Sequence, residues 1–199
     1  MTHRIGYLVG SLSSDSINRV LSKALVRLAP DSLELTEIPI CDLPLYNRDD
    51  EQNPAPAVVA LKDAIEASDG LLFVSPEYNR SIPAPLKNAI DWGSRPWGQN
   101  SFARKPTGII GASVGSIGTA VMQASMRSVL SFLDAPQLNA PEAYISFDPE
   151  TYGEDGQVKD PSTEKFLRHY MEEYAAFVER VLSSTLPGHV GDSDPDVMH

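Results

Sequence analysis

The stretch Asp69–Trp92, DGLLFVSPEYNRSIPAPLKNAIDW, decides the fold. Its GLLFV run shows no polar alternation, which fits a strand covered on both faces, as in a parallel sheet with helices above and below. The segment LKNAIDWGS from Leu86 reads as a helix, with Pro83 and Pro85 tolerated in its approach or first turn. Between strand and helix runs a loop stiffened by Pro76, Pro83 and Pro85, in which Tyr78, Asn79 and Ser81 offer an aromatic face, an amide and a hydroxyl. Such a loop can hold a flat heteroaromatic ring by its edge. It also reads as a proline-initiated turn capped by Asn79.

Working outward, the same strand–loop–helix unit recurs. RIGYLVGS is a short buried strand, and SINRVLSKALVRLAP a helix with Val20, Leu21, Ala24, Leu25 and Leu28 on one face, Asp15 or Ser16 as N-cap, and Pro30 as its stop. SLELTEIPI and AVVALKDAIEAS make the next pair, separated by the proline-rich, acidic excursion CDLPLYNRDDEQNPAPA. PTGIIGAS and TAVMQASMRSVLSFLDA make the fourth. A fifth strand is expected within PQLNAPEAYIS, where two prolines interrupt it, before the helix STEKFLRHYMEEYAAFVERVLSS with its stripe of Phe166, Tyr170, Tyr174, Phe177, Val178 and Val181. Strict β–α alternation implies an α/β fold, a doubly wound five-stranded parallel sheet with helices on both faces.

A chain of 199 residues fits one domain, here 1–186, followed by an acidic tail at 187–199 rich in Gly, Pro and Asp. The formal net charge of −11 opposes nonspecific attraction to nucleic acid or anionic lipid. No apolar run approaches the length of a membrane span, and MTHRIGYLVGSLSSDS lacks a signal-peptide pattern, so a cytoplasmic protein is expected. Cys41, the sole cysteine, has no disulfide partner and reads as a packed thiol.

In sheets of this kind ligands bind at the carboxyl ends of the strands. Three loops lie there. GSLSSDSIN supplies Ser11, Ser13, Ser14, Ser16 and Asn18 where a strand turns into a helix N-terminus, a setting suited to a phosphate and equally to simple capping. It is neither a Walker loop nor a GxGxxG turn. The second loop is SPEYNRSIP. The third, GASVGSIGT, formally matches GxSxG, which would make Ser113 the nucleophile of a serine hydrolase with Asp134 or Asp148 as acid. That remote alternative lacks an upstream oxyanion segment. Of the histidines, His3 precedes the serine, His169 lies within a helix, and His189 and His199 are in the tail. Small residues in this loop instead let backbone approach a flat ligand.

Through GSLSSDSIN, PEYNRSIPAPLKNAIDWGSRP and GASVGSIGTAVMQASMRSVLSFLDA, the chain resembles the NAD(P)H-dependent FMN reductases of the flavodoxin-like superfamily, the group that includes bacterial quinone and chromate reductases. The resemblance implies noncovalent FMN, NAD(P)H as electron donor, a small-molecule electron acceptor, and a homodimer or homotetramer. It implies that Ser11, Ser16 and Asn18 hold the FMN phosphate. Pro76, Glu77, Tyr78 and Asn79 would line the isoalloxazine and ribityl chain, and Ser113 and Gly115 would close on the pyrimidine edge. It also places Asp91, Trp92 and Arg95 near a subunit interface. Two positions depart from the pattern: Ser13, where many relatives carry an arginine that pairs with the phosphate, and Arg80, where an uncharged residue is common. Arg80 reads as a solvated loop charge or as a guide for the nicotinamide phosphate or an anionic acceptor. Glu77 reads as a structural carboxylate capping its own loop. The alternatives of another class are a flavodoxin-type electron carrier and a flavin-sensing binding module without turnover.

Overall fold

In the computed structural model, which describes residues 1–153 and 155–184, strands and helices alternate along the chain. The strands are β1 (His3–Val9), β2 (Leu33–Glu37), β3 (Gly70–Val74), β4 (Thr107–Ser113) and β5 (Tyr144–Ser146). The helices are α1 (Ile17–Leu28), α2 (Pro56–Ala67), α3 (Ala84–Gly93), α4 (Ala120–Phe132) and α5 (Pro161–Ser184). The strands pair in parallel in the order β2-β1-β3-β4-β5, which is the flavodoxin-like order. From β1 the chain winds outward to β2, then returns to add β3 on the other side. The crevice above β1 and β3 is therefore the topological switch point.

The unbroken GLLFV run is explained by two cores. Leu72 and Val74 of β3 join one cluster with Leu21 and Leu25 of α1 and Leu167, Tyr170 and Tyr174 of α5. Leu71 and Phe73 join the other, with Leu61 and Ile65 of α2, Leu86 and Ile90 of α3, and Met122 and Met126 of α4. Every residue of β3 is buried, so neither face can carry a polar side chain.

Two expectations are corrected or refined. β5 is only three residues long, because Pro136 and Pro141 interrupt the segment, and Gln137 reaches β4 merely through an isolated bridge to Thr107. Cys41 is exposed, not packed: it lies on a turn beyond Ile40, which is the last buried residue there. The expected boundary at 186/187 and the acidic tail lie outside the described residues.

α5 is tied to the sheet by more than apolar contact. The Tyr170 hydroxyl donates to the Ile109 carbonyl (2.9 Å) and the Tyr174 hydroxyl to the Leu71 carbonyl (2.8 Å). Burial pushes both phenols well above the ordinary value of 10.0. A phenol that resists ionisation in the folded state stabilises that state fully below pH 10, and the advantage is lost as the unfolded chain ionises above it. Urea denaturation should therefore give a stability that falls as pH rises past about 10. Tyr174→Phe should cost about 1–2 kcal/mol at neutral pH and make the alkaline fall shallower; an unchanged slope would refute this assignment.

Candidate functional site

The three loops leave the sheet from a single crowded point. The ladders extend into them through Gly10 N–H to the Val74 carbonyl (2.9 Å) and Ser75 N–H to the Ile110 carbonyl (3.1 Å). Ser75 is fully buried, and glycines flank it. A Cβ on Gly10 would lie 2.3 Å from Ser75 Oγ, and one on Gly111 would lie 2.0 Å from the Ser75 carbonyl oxygen. The Gly111 contact is with backbone and cannot be relieved by a side-chain turn, so only glycine fits there.

In the first loop, Ser11 is buried, accepts from Ser13 N–H, and lies 3.4 Å from the Tyr78 hydroxyl, so it links the first loop to the second. Ser16 occupies the N-cap position of α1 yet makes no side-chain bond to the helix. Its hydroxyl and the amino end of a twelve-residue helix form a donor set suited to an anion. Ser13 turns to Asp15: its hydroxyl donates to that carboxylate and holds it below the usual carboxylate range. Asn18 is buried, and both ends of its amide are engaged by Ala112, Nδ2 donating to the carbonyl and Oδ1 accepting from N–H, each at 2.9 Å. Asn18 thus clamps α1 to β4, where the resemblance implied a phosphate ligand.

In the second loop Pro76 is buried and Tyr78, Asn79 and Arg80 are exposed. Tyr78 and Ser81 exchange two backbone hydrogen bonds around Asn79 (φ 52°) and Arg80 (φ 61°). Positive φ at both central residues makes a tight primed turn. A side-chain-bearing residue such as Arg80 costs on the order of 1–2 kcal/mol there. Glu77, expected to cap its own loop, caps another element. Its Oε2 accepts from Val121 and Met122 N–H (3.0 and 2.9 Å), capping α4, while Oε1 pairs with Arg80 at 3.3 Å.

In the third loop Ser113 Oγ accepts from Gly115 N–H (3.1 Å). Among the described residues no histidine serves the hydrolase reading: His3 bonds Glu179 at the far end of β1, and His169 sits within α5, while His189 and His199 lie outside the described residues. Gly115 has open space on its Cβ side beyond Ser113 Oγ. The three loops also present exposed apolar side chains that the sequence reading passed over: Leu12, Val114 and Ile117, joining Tyr78. Large apolar groups left in water on convergent loops form an apolar rim. Nothing in the pattern of a short loop announces that its apolar residues point outward.

Trp92, expected near an interface, is buried within the chain; its Nε1 donates to the Pro44 carbonyl and its ring meets Tyr46 edge-on. Trp97 is the exposed indole, in contact with exposed Phe132 and under Arg95. A cavity of about 380 Å³ lies away from the loops between α2 and α3, lined by Val58, Lys62, Trp92 and Arg95 among others. Its central ammonium is already taken: Lys62 donates to the Gly93 and Gln99 carbonyls and to Ser101 Oγ. The convergent loops, not this cavity, combine an anion-suited helix end with an apolar rim.

Comparisons with known proteins identify the family. A family model described as NADPH-dependent FMN reductase matches residues 3–150. A 2-hydroxy-1,4-benzoquinone reductase from Burkholderia sp is 45% identical over 178 residues, covering 89% of this chain and 97% of that protein. A quinone reductase of Escherichia coli K12 is 41% identical over 182 residues, covering 87% and 94%. Among solved structures, FerB, a flavoenzyme NAD(P)H:(acceptor) oxidoreductase from Paracoccus denitrificans, superimposes with a TM-score of 0.87 at 43% identity over 90% of this chain and 98% of that one.

Two side-chain clamps should prove structural. Asn18→Leu would leave the Ala112 N–H and carbonyl unpaired and should lower stability by about 2–4 kcal/mol. Glu77→Ala, by uncapping α4, should cost about 1–2 kcal/mol. Chemical denaturation measures both, and near-wild-type midpoints would contradict the geometry.

Proposed function

The chain belongs to the NADPH-dependent FMN reductase family, and we propose that it carries hydride from NADH or NADPH, through noncovalently held FMN, to a quinone, free flavin or similar electrophile. The observation that carries this reading is the convergence of an anion-suited helix N-terminus and an apolar rim at the switch point of a flavodoxin-like sheet. When bound, FMN supplies the hydride-accepting and hydride-donating chemistry.

The residues present fit that cofactor. Ser11 and Ser16, with the amino end of α1, would hold the phosphate; Ser13, drawn to Asp15, adds little to it. Pro76, Tyr78 and Asn79 would border the ring and ribityl chain, and the backbone of Ser113–Gly115 would approach its polar edge, with room on the open side of Gly115. Leu12, Val114 and Ile117 would shed water from the stacked rings. Asn18 and Glu77 would act at one remove, by fixing the loops. We assign no side chain as general acid or base. What the protein contributes is orientation and hydrogen bonds to the ring edge.

We propose a cytoplasmic location, as expected from the sequence. No helix among the described residues is long and apolar enough to cross a membrane. Assembly as a homodimer or homotetramer is supported by the exposed aromatic pair Trp97 and Phe132 beside Arg95.

Loading the purified protein with FMN, removing unbound flavin and mixing anaerobically with NADPH or NADH should bleach the flavin absorbance rapidly, and a quinone should restore it. Ser16→Ala should weaken FMN binding by about five- to tenfold, read by flavin fluorescence. Retained flavin that neither dinucleotide bleaches would favour an electron carrier instead.

A further inference from the structure

The three loops carry three charged side chains: Asp15, Glu77 and Arg80. Arg80 is the one cation among them. Its nearest competitor, Arg19, follows the first loop and is engaged by both oxygens of Glu37 (2.8 and 3.1 Å). Arg80 sits at the second central position of the Tyr78–Ser81 turn with φ 61°. A backbone outlier of this kind at a site mouth is a reason to ask what the side chain is held for. Its side chain is 65% exposed. A single nitrogen, Nη1, meets Glu77 Oε1 at 3.3 Å, and the rest of the fork has no protein partner among the described residues. Glu77 cannot follow it outward, because the other carboxylate oxygen is bound to the first turn of α4 and the side chain is 7% exposed. The guanidinium is thus held by one oxygen of a fixed carboxylate and otherwise left open to solvent, on the loop that also carries exposed Tyr78.

Resting on the proposed reductase reading, we infer that Arg80 recognises a phosphate group of the pyridine dinucleotide as its nicotinamide enters over the flavin ring. Charge favours such a contact. The dinucleotide brings several negative charges to a protein of net charge −11, one of whose carboxylates, Asp15, stands at the first loop. A planar guanidinium with free donors is the side chain best matched to a phosphate. A neutral quinone gains nothing from it, so Arg80 separates the electron donor from the acceptor although both use one opening. The two candidate phosphates, the pyrophosphate shared by both dinucleotides and the 2′-phosphate of NADPH, are told apart by the test.

Steady-state kinetics of the FMN-loaded protein with NADPH and with NADH would be compared for wild type, Arg80→Ala, Arg80→Gly and Arg80→Lys, using a neutral quinone as acceptor. Arg80→Gly matters because it relieves the turn backbone while removing the side chain. The Ala and Gly variants should raise KM about tenfold, the loss falling on KM more than on kcat, and added salt should raise the wild-type KM more than theirs. Lysine should recover part of the loss. Calorimetric titration of NADP⁺ into the FMN-loaded proteins should show the same weakening without turnover. Equal losses for both dinucleotides assign the pyrophosphate; a loss for NADPH alone assigns the 2′-phosphate. Arg48→Ala, on an exposed turn elsewhere, should change none of these values.

The inference is overturned if both dinucleotides keep KM within about twofold in Arg80→Ala and Arg80→Gly while flavin is retained and bleached. It is overturned equally if these variants lose FMN with no change in dinucleotide KM, since Arg80 would then serve the cofactor. A wild-type protein whose flavin is never bleached is a different result: it removes the reductase function itself, and this role with it.

Discussion

Everything at the switch point hangs on the packing of backbone around Ser75. The residue is fully buried, the Gly10 and Gly111 backbones press against it from either side, and the strand ladders run through its neighbours. Three loops consequently start within van der Waals contact of one another. Their later courses are then pinned by side chains acting across long sequence separations: Asn18 on Ala112, Glu77 on α4, and Ser11 near Tyr78. A binding surface fixed in this way loses little conformational entropy when a ligand arrives. The rigidity of the prolines in the second loop adds to the same effect.

This pinning divides the polar residues of the loops into two groups. Asn18 and Glu77 are satisfied by backbone groups, and a buried amide or carboxylate already holding two N–H or carbonyl partners gains little by turning to a ligand. Ser16 is the opposite case, an N-cap hydroxyl that leaves its helix uncapped. Ser13 stands between, exposed but committed to Asp15. Residue type alone puts Ser13, Ser16 and Asn18 in one class of potential phosphate donors. Only the partners separate ligand from scaffold.

The same distinction explains what could be read from the sequence. The alternation of strands and helices was legible because hydrophobic periodicity is local: GLLFV announces a doubly covered strand, and the α5 stripe appears within a few turns. The weakest part was β5, where prolines at 136 and 141 remove donors and shorten the pairing to three residues. The loops that form the site were legible by position. Their internal wiring was not, since the Glu77 cap on α4 spans 44 and 45 residues and the Asn18 clamp spans 94, and no local pattern marks either. Nor does composition tell that Trp92 is buried while Trp97 is exposed; that depends on Pro44 reaching across to accept the Trp92 N–H.

The electrostatics of the opening follow from scale. The acidic surface acts on an approaching anion only within roughly a Debye length, about 8 Å at physiological salt. Beyond that distance an anionic and a neutral ligand are treated nearly alike; inside it, individual side chains decide. At this opening the close-range groups are an apolar rim, a helix amino end deep in the first loop, one exposed carboxylate and one exposed guanidinium. A neutral, flat acceptor needs only the rim. Under the role proposed for Arg80, a charged donor of hydride would meet both the rim and the guanidinium. On that reading, unequal demands at one opening would let two ligands take turns in it.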